Sequence, residues 1–159
     1  MLALLVPKPF DRPGWVFEEK YDGIRILAYK EGAKVTLLSR NDLDRTATFT
    51  DIAAAVAQIR DRILILDGEV VAFDPKGVSR FQLLQRGDVA PRFAVFDCVY
   101  RNGQDLRSEP LSRRRRDLET ALGAAPAFAS SGAERPYRLQ QRQAQGPRRG
   151  GREGQRCPL

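Results

Sequence analysis

The stretch Glu18-Glu19-Lys20-Tyr21-Asp22-Gly23-Ile24-Arg25 sets a lysine amine among carboxylates, a glycine and an arginine. It lies between two apolar runs, Trp15-Val16-Phe17 and Ile26-Leu27-Ala28-Tyr29, whose composition suits strands. A lysine amine is a hydrated cation that attacks an electrophile only after losing its proton. Arg25, and a metal cation where one binds, would favour that loss; Asp22 and Glu18 oppose it until a metal neutralises them. Gly23 lets the backbone approach a ligand closely or take a positive φ. Taken alone, Lys-x-Asp-Gly reads as the mixed-charge edge of an exposed hairpin. The rest of the chain changes that reading.

Histidine is absent. That excludes His-based general acid–base chemistry, Ser-His triads and the commonest zinc ligand. The two cysteines, Cys98 and Cys157, lie far apart and support neither a zinc site nor a disulfide framework. Cys98 falls inside an apolar run and reads as a small core hydrophobe. With 159 residues, 42% of them hydrophobic, the chain has room for one domain with a real core. The net charge of +7 is unevenly spread, since residues 135–159 hold seven arginines and one acid. The basic excess belongs to the tail. The opening Met-Leu-Ala-Leu-Leu-Val is shorter than a signal core, and no run approaches a membrane span. A cytoplasmic protein with no membrane partner is expected.

The elements that must position Lys20 follow from periodicity. Residues 1–14 are punctuated by Pro7, Pro9, Pro13 and Gly14 and read as an extended lead-in. Strands are expected over Trp15–Lys20, Ile24–Lys30 and Val35–Leu38, the last delivering Ser39-Arg40-Asn41 at its end. Ile52, Ala55, Val56 and Ile59 recur at helical spacing, with Thr50 or Asp51 near the start. Ile63–Leu66 reads as a buried strand, Val70–Phe73 as a second β-rich run, and Asp74-Pro75-Lys76-Gly77 as a turn. Asp67-Gly68 between those runs reads as a turn with Glu69 solvated, unless a ligand uses the acids. A short helix over Ser79–Gln85, a strand over Arg92–Tyr100 ended by Asn102-Gly103, and a last helix marked by Leu111, Leu118 and Leu122 complete the pattern. Ser112 is its candidate cap, and Arg113–Arg116 read as its solvated face more readily than as a binding element, though some could reach phosphates. Residues 125–159 bury nothing and are expected to be disordered. They fit an arginine-rich nucleic-acid arm or GC-rich DNA read out of frame, and the abrupt change of composition favours the second.

Glu18-x-Lys20-x-Asp22-Gly23-x-Arg25, Ser39-Arg40-Asn41, Asp67-Gly68-Glu69-Val70-Val71 and Ala94-Val95-Phe96-Asp97 resemble, in order, motifs I, Ia, III and IIIa of the ATP-dependent DNA ligases. The likeness is strongest to the bacterial ligases and the ligase module of the bacterial end-joining enzyme. Asn102-Gly103-x-Asp105-Leu106-Arg107-x-x-Pro110-Leu111-x-x-Arg114-Arg115 also looks like the stretch that follows motif IIIa. The resemblance runs from Met1 to Leu122, about three quarters of the chain.

The resemblance implies an α+β fold: a nucleotidyltransferase adenylation domain of antiparallel sheets flanked by helices, incomplete at its C-terminal side. It would occupy residues 1–124, followed by the tail. Lys20 would be the nucleophile that attacks the α-phosphorus of ATP, forms lysyl-AMP and expels pyrophosphate. Glu18 and the backbone near Glu19 would read the adenine edge, and Phe96 would stack on the ring. Arg25 and Arg40 would contact ribose and phosphates. Glu69 would bind ribose hydroxyls or help Asp22 hold Mg2+ or Mn2+. Nicked or broken duplex DNA would be the partner, alongside other end-joining or repair proteins. Nucleotidyl transfer needs positioning and charge neutralisation, and none of it requires histidine. Without the motif pattern Phe96 reads as a core residue and Ser39-Arg40-Asn41 as an ordinary loop.

Downstream of Leu122 nothing resembles the Glu-Gly-[Val/Leu]-Val-x-Lys of motif IV, the Lys-x-Lys of motif V, or an oligonucleotide-binding domain. Impaired chemistry is the expectation. Two alternatives remain: an RNA ligase or capping-type nucleotidyltransferase, and an inactive nucleotide- or nucleic-acid-binding fragment.

Overall fold

In the computed structural model, residues 18–123 and 127–130 are described. Six strands form one sheet: β1 (Ile24–Glu31), β2 (Lys34–Ser39), β3 (Ile63–Val71), β4 (Arg92–Arg101), β5 (Gln104–Asp105) and β6 (Phe128–Ser130). The order is β2-β1-β3-β4-β5 with antiparallel neighbours, and β6 joins β4 in parallel. Three helices accompany it: α1 (Thr50–Ala57), α2 (Phe81–Arg86) and α3 (Leu111–Leu122). The α+β class is as expected; of the sheets that the resemblance implies, the described residues form one.

Strand alternation divides the sheet into two faces. Ile26 and Ala28 of β1, Leu64, Leu66 and Val70 of β3, and Phe93, Val95 and Cys98 of β4 lie on the core face, each buried. α1 closes part of it with Ile52 and Val56, one helical turn apart and both buried. Burying two such side chains contributes roughly 1.5–3 kcal/mol each. α3 adds Leu118 to the same core. The opposite face carries Arg25, Leu27 and Tyr29 beside Glu69, Asp67 and Ile65, paired across β1 and β3 in that order.

β3 is one continuous strand, not two runs joined by a turn. Asp67-Gly68-Glu69 lies within it and pairs with β1 on one side and β4 on the other. The ladder satisfies the backbone that a turn would have left open, so Asp-Gly does not break the strand. Gly68 is there for space. A Cβ at that position would lie 2.6 Å from the Ala94 carbonyl oxygen and 2.6 Å from the Phe93 ring. Opposite Asp67-Gly68, β4 carries an extra residue: Gly68 pairs with Val95 and Asp67 with Asp97, leaving Phe96 in a bulge. Bulges re-aim side chains, and this one sits at a motif residue.

Other expectations need correcting. Glu18–Lys20 precede the first strand and are not part of one; Trp15–Phe17 lie outside the described residues. α3 begins after Pro110 with no side-chain cap, so Ser112 is not its cap. Residues 128–130 form β6, with Phe128 and Ala129 buried against β4, so this part of the tail is ordered. Parallel pairing to a distant strand has no local signature. The remainder of the tail lies outside the described residues.

Two outcomes test this packing. Gly68→Ala should lower the urea midpoint, by about 1–3 kcal/mol, without changing the slope of the unfolding curve. Burial pushes the Cys98 thiol from its ordinary 9.0 up to about 11. Between those values the folded state binds more protons than the unfolded one, so stability falls as pH rises through the window. Native protein at pH 8 should therefore resist alkylation at Cys98, read by peptide mass spectrometry, and react once unfolded.

Candidate nucleotide site

Lys20 stands four residues ahead of β1, in an exposed segment. Its surroundings are set by β3 and by the connection into α2. Gly23 N–H donates to Glu69 Oε1 at 2.9 Å. Asp22 N–H donates to Ser79 Oγ at 2.9 Å, and the Asp22 carboxylate accepts from the Phe81 N–H at 3.1 Å. A Cβ at Gly23 would fall 2.2 Å from the Val70 carbonyl oxygen. Glycine is therefore required by close backbone approach.

Glu69 is not solvated. Burial is the largest influence on its carboxyl and pushes its proton affinity up; the Gly23 N–H, Lys20 and Arg25 pull the other way, and Asp22 adds to the rise. Lys20, Asp22 and Arg25 thus all bear on Glu69. The donor chemistry suits a cation or a hydroxyl donor beside Glu69, since either would offset what burial costs the charged carboxylate. Among the described residues no group of three or more carboxylates and cysteines converges as a metal cage. Magnesium commonly takes one or two carboxylates plus substrate phosphates, so the pair Asp22 and Glu69 fits that mode and not a protein-only cage.

Arg25 is held by Asp67 in a two-pronged bond, Nε to Oδ1 at 3.0 Å and Nη2 to Oδ2 at 2.6 Å. Its guanidinium carbon lies 5.5 Å from the centre of the Phe96 ring, a cation–π distance. Phe96 is partly exposed and is not a plain core residue. Ser39 ends β2, and a tight turn follows in which Asp42 takes a φ of 57° and donates its N–H to the Ser39 carbonyl at 2.9 Å. Ser39, Arg40, Arg25 and Asp67 line a cleft of about 590 Å³, together with apolar Leu27, Leu38 and Ile65 and the charged Asp42, Asp105 and Arg107. Lys20, Glu69 and Phe96 do not line it. The structure therefore brings together two groups: Arg25 with Arg40 in the cleft, and Lys20 with Asp22, Glu69 and Arg25 beside it. Glu19 is exposed, and among the described residues no side-chain hydrogen bond or ion pair involves it.

Three participants escaped the sequence reading. Ser79, buried at 5% exposure, holds the Asp22 backbone. Only its place just ahead of α2 hinted at more than a loop serine. Arg114 grips Asp97 through Nε and Nη2 at 2.8 and 2.9 Å. Arg115 pairs with Glu18, the carboxylate expected at the adenine edge. The four-arginine run is therefore not a uniformly solvated face. Its second and third members turn inward, with side chains 12% and 15% exposed.

The chain matches the model of the ATP-dependent DNA ligase domain over residues 2–143. It is 38% identical over 112 residues to the multifunctional non-homologous end joining DNA repair protein LigD of Mycobacterium tuberculosis, covering 69% of this chain and 15% of that one. It is 35% identical over 132 residues to a DNA ligase of Natronomonas pharaonis, covering 74% of this chain and 24% of that one. The ligase domain of M. tuberculosis LigD superposes with a TM-score of 0.63 at 32% identity, over 73% of this chain and 39% of that one. A mycobacterial DNA ligase D complexed with ATP and MES gives the same TM-score, 0.63, at 33% identity, over 74% of this chain and 39% of that one. The chain spans well under half the length of each. Among the described residues no helix is long and apolar enough to cross a membrane. On its motifs, its fold and these likenesses, the chain belongs to the ATP-dependent DNA ligase family and carries part of that family's nucleotidyltransferase, or adenylation, domain.

Proposed function

We propose that Lys20 accepts AMP from ATP, the first step of DNA ligation. The observation that carries the reading is the docking of the Lys20 segment on β3, where Gly23 N–H donates to Glu69 and Arg25 stands opposite Glu69 in register, in a chain belonging to this family. In the step proposed, the deprotonated Lys20 amine attacks the α-phosphorus in line. A P–N bond forms, the bond from the α-phosphorus to the bridging oxygen breaks, and pyrophosphate leaves. The lysine proton passes to solvent. Arg25 and Arg40 suit phosphate oxygens by their planar fork, and Glu69 suits ribose hydroxyls. Phe96 offers a face for the base, with Glu18 and the Glu19 backbone at its edge. A divalent cation held by Asp22 and Glu69 would neutralise phosphate charge.

Transfer of that AMP to a 5′-phosphate, and sealing by a 3′-hydroxyl on nicked or broken duplex DNA in end-joining repair, is the fuller activity to which this step would belong. The adenylation unit would run on through β6, whose Phe128 and Ala129 are buried against β4. A cytoplasmic, nucleoid-associated setting follows from that role. The Arg25–Asp67 fork favours one second reading. It fixes the guanidinium and leaves Nη1 outside the pair, which a chain that binds nucleotide without reacting would use equally well.

Incubation with magnesium and ATP labelled at the α-phosphate separates the two. Folded wild type should acquire an acid-labile label, and Lys20→Ala should fall to background. Absence of label on folded wild type would leave the binding reading in place.

A further inference from the structure

The Lys20 segment is held by side chains, not by a backbone ladder. β1 starts only at Ile24, and among the described residues the turn and loop backbone bonds include none to residues 18–23. On the C-terminal side of Lys20, Ser79 and Glu69 take the N–H groups of Asp22 and Gly23. On the N-terminal side, Arg115 of α3 donates through Nη2 to Glu18 Oε1 across 97 positions of sequence. α3 is itself anchored, because Arg114 holds Asp97, the residue after Phe96, and donates through Nη1 to the Glu109 carbonyl at 2.6 Å. Two successive arginines on one helix thus grip the segment of Lys20 and the strand of Phe96.

We propose that Arg115 is a positioning residue for Lys20. Through Glu18 it fixes the segment that carries the amine, and through α3 it sets that segment relative to Phe96. The competing account is a surface pair with a small effect on stability and none on position. The proposal rests on Lys20 being the nucleophile, so the experiment carries one arm that does not need turnover.

In the first arm, Arg115→Ala should slow Lys20 labelling at saturating ATP on the order of ten-fold with the KM for ATP unchanged, and Arg115→Lys should recover most of it. In the second, amide exchange at Asp22 and Gly23 should be several-fold faster in Arg115→Ala and in Glu18→Ala. The double exchange Glu18→Arg with Arg115→Glu should return it toward wild type, with the β1–β3 ladder unchanged throughout. Wild-type exchange in both single variants, no recovery in the double exchange, or faster exchange spread over β1–β3 would overturn the proposal. If wild type takes no label, the reading of Lys20 fails by that observation alone, and the exchange arm still decides whether Arg115 holds the segment.

Discussion

The structure depends on β3 being paired along both edges. β1 covers it from Ile63 to Val70 and β4 from Leu64 to Val71, so no backbone group in its centre can reach water. A strand so enclosed offers its side chains only two directions. With Leu64, Leu66 and Val70 committed to the core face, Asp67 and Glu69 must emerge together on the other. The register then sets Arg25 opposite Glu69 and Leu27 opposite Asp67. Arg25 reaches diagonally to Asp67, which frees Glu69 to accept from Gly23. The position of the whole charge cluster follows from one alternation. A one-residue slip of β3 would send both acids into the core and its leucines into solvent.

Pairing with Asp67 orients Arg25 and does not use it up. A guanidinium has five N–H donors in a rigid fork, and the two bonds to Asp67 engage Nε and Nη2 while Nη1 stays outside the pair. Resting over Phe96 holds the plane of the group without consuming a donor. Lysine in the same place would give a single mobile point charge and neither constraint. Arg25 is therefore partly fixed in the cleft with donors still outside the pair.

Much of this was legible in the sequence because the strands alternate or run apolar and the motif residues fall at their ends. β1, β2, α1, α2, β4 and α3 appear within a residue or two of their expected bounds. What failed did so for physical reasons that local patterns do not carry. Asp67-Gly68-Glu69 has turn composition, yet the glycine answers a 2.6 Å approach of a neighbouring strand that no local rule reports. The arginine run looks solvated because charge runs usually are, but Asp97 and Glu18 lie opposite it in space and far from it in sequence. Ser79 and β6 likewise take their meaning from distant partners. For the site, sequence named most of the charged groups and missed the residues that hold them still.

The charge balance of the cluster explains why Glu69 stands apart from the other acids. Asp97 has the Arg114 fork and Asp67 the Arg25 fork, each with little exposed surface on the acid. Removing one partner of the part-buried Arg114–Asp97 pair would leave the other charge partly desolvated and unpaired. Those acids are already neutralised and have little to gain from a ligand. Glu69 has a backbone N–H, and the more distant charges of Lys20 and Arg25, against its burial and the nearby Asp22, and burial wins. An incoming cation or hydroxyl would therefore gain most at Glu69, next to the one amine that the rest of the cluster leaves exposed. The forks fix Asp67 and Asp97, while the charge of Glu69 is only partly offset by its surroundings.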